Sequence, residues 1–253
     1  MIEKEKTPEE QLKEMVEQEV VEVEEVIEEQ VEETRDERET RERLDNWIPK
    51  TQLGKDVLSG KENDLDKILE SGKKIFEAEI VDKLLDLKSD LLFIGQAKGK
   101  FGGGKRRAWK QTQKKTKEGN IPTFAVMAVV GDSNGHIGLG YGRAKETLPA
   151  REKAIRKAKL NIQKIRRGCA SFDCSCKESH SVPSAIQGKC SSVIVKLIPA
   201  PQGTGLVAGN ELKKILRLAG IKDVYTRTFG KTQTTINTAQ ACIKALENLN
   251  KLK

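Results

Sequence analysis

Apolar residues in this chain fall into short, separately punctuated runs, and the period of the runs changes along its length. In residues 1–43, Leu12, Val16, Val20, Val23, Ile27 and Val31 recur at near-helical spacing, but they are embedded in glutamate, with no glycine and no aromatic residue. Like charges at that density repel one another along a helix. The stretch is therefore expected to be a solvated acidic extension, helical only in part.

A different pattern begins at Asn46-Trp47-Ile48-Pro49. Lys50–Gly60 reads as a turn-rich lead-in. Leu65, Ile68 and Leu69 predict a short helix closed by Ser71-Gly72, and Glu77–Leu87 predicts a second with Ile80, Val81, Leu84 and Leu85 on one face. Leu91–Ile94 predicts a strand. Phe124–Val130 and His136–Gly142 predict two more, joined as a hairpin by Gly131-Asp132-Ser133-Asn134-Gly135. The return strand alternates Ile137, Leu139 and Tyr141 with Gly138, Gly140 and Gly142. Such a bare glycine face admits another backbone, here a helix packed on the sheet. Thr147 is placed as the cap of the next helix, Pro149 in its first turn, and Ile155, Ala158, Ile162 and Ile165 as its apolar stripe.

After a cysteine-bearing linker, Ser191–Ile198 predicts a strand and Pro199–Gly205 a rigid loop. Glu211–Ala219 predicts a helix stopped by Gly220, Val224–Phe229 a strand, and Thr235–Leu252 a final helix with Ile236, Ala239, Ile243, Leu246 and Leu249 inward. The order is α-β-β-β-α and then β-β-α-β-α, an α+β chain in which each unit is a small sheet covered by helices. The expected divisions are the acidic extension 1–43, a first domain with its lead-in at 44–168, a Cys-rich linker at 169–181 and a second domain at 182–253.

Charge sharpens this picture. The formal net charge of +8 conceals a split. Residues 1–43 carry eighteen acidic and seven basic side chains, whereas residues 44–253 carry twenty acidic and thirty-nine basic, a surplus of nineteen cations. A surface so charged repels itself and attracts a polyanion, and nucleic acid is the first candidate. The acidic extension then has a second reading, as a helix that docks on a partner or shields the basic surface until RNA displaces it. No run of eighteen apolar residues occurs, so no membrane partner is expected. Met1–Lys6 shows no apolar signal segment, so a cytoplasmic location is expected, and five cysteines make disulfide stapling unattractive there.

Three motifs bear on chemistry. Gly99–Lys105 matches G-x-x-x-x-G-K, but Arg106 stands where a P-loop needs Ser or Thr for magnesium, so nucleotide hydrolysis is not expected. The same residues read as a flexible finger whose Lys98, Lys100, Lys105, Arg106 and Arg107 meet phosphates, Arg with two donors each. Lys110, Lys114 and Lys115 continue the basic run. Trp109 is read either as a stacking platform for an unpaired base or as a strand-edge aromatic. Basic residues on the helix from 147 onward, Arg151, Lys153, Arg156, Lys157, Lys159 and Lys164, have few balancing acids and are expected to face phosphate. Arg166-Arg167 ends that unit. Finally, Cys169, Cys174, Cys176 and His180 form C-x4-C-x-C-x3-H, four ligand types suited to zinc. The alternative is a set of reduced thiols at a packed domain junction, and the expectation is that no metal and no cofactor is resident. Two histidines and no Ser-His-Asp spacing leave no catalytic residue to name.

Read in order, Trp47–Leu53, Val129–Gly138, Gly142–Glu146, Ile165–Cys169, His180–Pro183, Leu197–Gly205 and Leu218–Val224 resemble small-subunit ribosomal protein five, the universal family, in its archaeal and eukaryotic form. The resemblance implies a double-stranded-RNA-binding-like α-β-β-β-α domain and a second β-α domain with a left-handed crossover. It implies a place in the small subunit near the decoding region and the channel by which mRNA enters, beside ribosomal proteins four and eight, and a link to decoding accuracy. It also assigns Lys98–Arg107 to the family's basic hairpin against small-subunit rRNA, and Arg143 and Lys145 to a strand-to-helix junction beside RNA. With Trp109, Lys110, Lys114, Lys115, Arg151, Arg166 and Arg167, these form the expected rRNA-binding set. Gly102–Pro122 is longer and more basic than many members of that family carry, and residues 1–43 have no counterpart in the family pattern.

Overall fold

The structure, a computed structural model, describes residues 44, 46–96, 106–169, 172, 174, 176 and 178–251. The acidic extension and residues 97–105 lie outside the described residues. The chain divides into Met1–Ile48 and Pro49–Lys253. In the first unit, Trp47 N donates to Leu44 O.

The lead-in is helical where turns were expected. Helix α1 (Gln52–Leu58) starts because the Thr51 hydroxyl accepts from Gly54 N at 3.1 Å, while a Glu77 carboxylate oxygen accepts from Lys50 N and Thr51 N at 3.0 and 2.6 Å. Seven residues with a glycine inside show too little period to read in advance. Helix α2 (Leu65–Glu70) ends as expected, with Gly72 at φ +72°. Helix α3 (Ala78–Leu84) stops three residues short of Leu87, because Leu85 is already extended toward β1 (Lys88–Leu91). That strand lies upstream of the predicted Leu91–Ile94. Leu92, whose N–H still donates to Met127 O at 3.0 Å, and Ile94 are buried in the core, and that burial explains their apolarity.

The larger sheet has the order β1, β3 (Gly119–Gly131), β4 (His136–Ala144), β5 (Ile162–Lys164), with β2 (Trp109–Thr116) also on β3. Strand β2 has no apolar alternation and every residue but its last is exposed, so hydrophobic patterning could not announce it. It is held by antiparallel pairing to the first half of β3, through a turn closed by Gly119 at φ +122°. The second half of β3 pairs with β1 on that same edge and with β4 on the other. The β3–β4 hairpin is the predicted one.

Helix α4 (Thr147–Leu160) lies on the glycine face of β4. A Cβ at Gly138, Gly140 or Gly142 would sit 2.0–2.2 Å from a helix carbonyl oxygen, of Ala158, Ala154 or Ala150 respectively. Those three alanines are the buried stripe. The predicted stripe is corrected accordingly: Ile155 is half-buried, Ile162 lies in β5 (Ile162–Lys164) and Ile165 beyond it. Thr147 is the first helical residue and not the cap, which is Glu146.

The second sheet runs β6 (Ile186–Cys190), β7 (Val193–Pro199), β9 (Val224–Phe229), β8 (Leu206–Val207), with β8 and β9 parallel and helix α5 (Asn210–Leu218) between them in sequence. Gly220 at φ +77° follows α5, as predicted. Helix α6 (Thr235–Lys251) buries Ala239, Cys242, Ile243, Leu246 and Leu249. One core joins both sheets, from Leu92, Met127, Val129 and Ile137 to Val195, Leu197, Ile215, Leu216 and Leu246. Among the described residues no helix is long and apolar enough to cross a membrane.

Candidate nucleic-acid interface

Successive side chains of a strand point to opposite faces, and directly paired residues share a face. On β2 this puts Lys110, Thr112 and Lys114 on one side and Trp109, Gln111, Gln113 and Lys115 on the other. Lys110 pairs with Ala125, which pairs with Arg143 of β4, so Lys110, Lys114 and Arg143 share one exposed face. The Arg143 guanidinium spans the two strands below it, donating to Thr112 Oγ1 and Thr123 Oγ1 at 3.5 and 3.4 Å. Trp109, on the opposite face, remains 36% exposed, with the Arg107 guanidinium 5.7 Å from its ring centroid. It is thus an edge aromatic engaged by a cation, with part of its surface open.

The base of the basic finger is fastened. Gly95 N donates to Arg107 O at 2.9 Å, and a Cβ at Gly95 would fall 2.2 Å from Trp109 O. Arg106 and Arg107 stand at this base. Lys98, Lys100 and Lys105 belong to the segment outside the described residues.

Lys145 is exposed at the start of the β4–α4 junction, and Arg151 is half-buried on the first turns of α4. Arg166 is exposed. Arg167 braces the hairpin turn against the end of α5, donating to Asn134 O at 2.6 Å, Gly220 O at 3.3 Å and Ser133 O at 3.4 Å. It borders a cleft of about 640 Å³ lined also by Lys213, Arg217 and Lys222. Those three cations were not singled out from the sequence; the four-residue spacing of Lys213 and Arg217 on a predicted helix was the available signal. Two cations expected on the helix face are corrected, Lys159 on α4 and Lys164, which lies in β5. Lys159 lies 2.6 Å from Asp82, and Lys164 lies 2.8 and 3.2 Å from Asp66 and Glu70, so both are tied to acids of the lead-in. Residues 106–167 still hold sixteen Lys and Arg against four Asp and Glu.

Both histidines have structural partners. His136 Nδ1 lies 2.6 Å from Asp132 and Nε2 2.8 Å from Asp66. The Asp132 hydrogen bond, opposed by burial and joined by Asp66, raises its pKa above the ordinary value. Burial pushes Asp132 up, but hydrogen bonds from the His136 ring and from the Asn134 and His136 N–H groups outweigh it, leaving that carboxyl below the usual range. His180 is buried, with Nδ1 2.8 Å from Asp223. Its Nε2 lies 3.5 Å from Cys174 Sγ, which is 2.9 Å from Cys176 Sγ. The proton shared between those sulfurs holds one thiol down to about 6 (Cys174, aided by the N–H groups of Cys176 and Gln202) and the other up to about 12.

Comparison with known proteins fixes the relationship. Family models described as "Ribosomal protein S5, N-terminal domain" and "Ribosomal protein S5, C-terminal domain" match residues 105–166 and 188–253. A protein named "Small ribosomal subunit protein uS5" from Nanoarchaeum equitans is 47% identical over 211 residues, 83% of this chain and 90% of the relative. Its namesakes from Staphylothermus marinus and Methanobrevibacter smithii are 47% and 45% identical, each over 83% of this chain and 92% of theirs.

The chain belongs to the ribosomal protein S5 family.

Within the S5 frame, the N-terminal match opens at the base of the basic finger and closes on Arg166, so it contains β2, the glycine-faced hairpin and α4. The S5 C-terminal match opens inside β6 and runs through α6. The cluster Cys169, Cys174, Cys176 and His180 falls between the two.

Proposed function

We propose that this S5 chain is a structural, non-catalytic constituent of the small ribosomal subunit that binds rRNA through β2, the finger at its base and the neighbouring cations. The observation that carries the reading is the exposed strand β2, whose Lys110 and Lys114 join Arg143 on one face. Cations presented on a rigid ladder meet phosphates without first being ordered, and little of the sequence of the RNA is read that way. The set consists of Lys98, Lys100, Lys105, Arg106, Arg107, Trp109, Lys110, Lys114, Lys115, Arg143, Lys145, Arg151, Arg166 and Arg167. Arg167 acts by holding the cleft that displays Lys213, Arg217 and Lys222. The family relationship supports a position near the decoding region and the channel by which mRNA enters, beside proteins four and eight, with effects on assembly and accuracy.

Counterion release makes such binding salt-dependent, with a slope of about −0.7 to −0.9 per neutralised phosphate. Replacing Lys110, Lys114 and Arg143 by alanine should flatten the log affinity against log salt plot for a small-subunit rRNA fragment by about 2 to 3 units. It should also reduce incorporation into small subunits sedimented from a reconstitution. An unchanged slope together with full incorporation overturns the assignment. Recovery only in RNA complexes lighter than the subunit would instead mark a free double-stranded-RNA-binding protein.

A further inference from the structure

We propose that Cys169, Cys174, Cys176 and His180 hold one structural zinc ion that closes the segment between the two sheets. The four ligand atoms lie within 4.8 Å of one another. A tetrahedral ion with Zn–S of about 2.3 Å and Zn–N of about 2.0 Å needs ligand–ligand edges of about 3.5–3.8 Å. The Cys174 Sγ to His180 Nε2 distance, 3.5 Å, already has that length. The Cys174–Cys176 edge, 2.9 Å, must open by about 1 Å to admit the ion. It is far longer than the ~2.05 Å of a disulfide.

The surroundings are built for a metal. His180 is 2% exposed, and its Nδ1 meets Asp223 Oδ2, which leaves Nε2 turned to the sulfurs. A carboxylate behind a ligating imidazole fixes its tautomer and strengthens it as a donor. Asp223 is fixed in turn, since its other oxygen accepts from Gly205 N at 2.7 Å, and the His180 carbonyl accepts from Lys222 N and Asp223 N. Gly168 and Ser181 exchange both backbone hydrogen bonds at 2.9 Å, so the ligand-bearing stretch leaves and returns at one point. Three soft sulfurs and one imidazole, with no carboxylate among the ligands, select zinc over the hard cations. Zn²⁺ takes the three sulfurs as thiolates, any protons they still carry pass to solvent, and the site carries a net charge of −1. The ion ties the end of the first sheet's unit to Asp223 at the start of β9 without using any rRNA-facing residue.

The test uses the full chain, purified under reducing conditions without chelator. About one zinc per chain is expected by elemental analysis. Cobalt added to the stripped chain should give tetrahedral d–d absorption with sulfur-to-cobalt charge transfer. Alkylation of Cys169, Cys174 and Cys176 should be suppressed by zinc and restored by chelation, with Cys190 unchanged; this readout needs no variant and survives any folding defect of one. Cys174→Ser with Cys176→Ser should abolish the stoichiometry, Cys190→Ser should keep it, and Asp223→Asn should weaken zinc binding about 10- to 100-fold. A zinc content near zero in the reduced wild-type chain, or alkylation of the three cysteines that ignores zinc, overturns the proposal.

Discussion

Adding a single methyl group at Gly140 should separate α4 from the sheet. The new Cβ would lie 2.0 Å from Ala154 O, 2.3 Å from Ala158 N and 2.9 Å from Lys157 C, all backbone atoms of one helix. Non-bonded carbon essentially never approaches closer than 3.0 Å, so α4 must withdraw by about 1 Å, and no rotamer change can relieve it. A gap of that size forfeits a quarter to a half of each dispersion contact across the interface, here those of Ala150, Ala154 and Ala158. Overpacking of a well-filled core costs typically 1–3 kcal/mol, and backbone on both sides puts Gly140→Ala at about 3 kcal/mol or more. For a chain of this size that lowers Tm by roughly 6–12 °C. Urea unfolding of the full chain measures the first figure, calorimetry the second, and Gln111→Ala on the exposed strand serves as the control, within about 0.5 kcal/mol of wild type. Because the clash is with a carbonyl and not a methyl group, adding Ala154→Gly should not rescue the variant. Rescue by that change, or a loss for Gly140→Ala below about 0.5 kcal/mol, would refute the reasoning.

The His136 clamp should have a pH window. A raised histidine pKa contributes stability that is complete below about 6.5 and is lost as pH rises through the folded value; the depressed Asp132 contributes above about 3.8 and is lost as pH falls through its own. The urea midpoint gap between wild type and His136→Gln should therefore be larger at pH 5.5 than at pH 9, and equal gaps would contradict the assignment. Asp82→Ala leaves the largely buried Lys159 ammonium without this carboxylate, at a cost of about 1–3 kcal/mol, and Lys159→Met added to it should recover part of the loss; this is read by urea unfolding. Gly95→Ala should loosen the finger's base, since its Cβ meets the Trp109 carbonyl, and lower rRNA-fragment affinity while Lys110 and Lys114 remain; unchanged affinity would place the contacts elsewhere.

Elements whose apolar residues do the packing were legible in advance. Val224–Phe229, the Gly131–Gly135 turn and the α5 stop at Gly220 stand where patterning put them, and the glycine face of β4 receives a helix as read. What patterning misplaced has physical causes that differ from element to element. On α4 the buried stripe is alanine, because glycine opposite leaves room for nothing larger; of the predicted stripe Ala158 lies in it, Ile155 packs at its margin, and Ile162 and Ile165 lie beyond the helix. Strand β2 is polar but for Trp109 at its start and is held chiefly by backbone pairing, a property that side-chain hydrophobicity does not encode. At the candidate interface the cations were found from charge surplus, but Lys159 and Lys164 were not separable from their neighbours, since their acids lie 77 and 94–98 positions away in sequence. Asp223 behind His180 was hidden for the same reason, 43 residues downstream.

Strand β3 is thirteen residues of uninterrupted ladder, buried from Ala125 onward and exposed at its beginning. From Ala125 back to Gly119 is about 20 Å of extended chain. That length works as a cantilever: its root is clamped in the core, and its free end at Asn120 and Ile121 is paired with Lys115 and Lys114 of β2. A force on the tip is delivered to Met127 and Val129 through peptide groups, with no hinge between, so a change in the packing beneath those two residues would re-aim cations some 20 Å away.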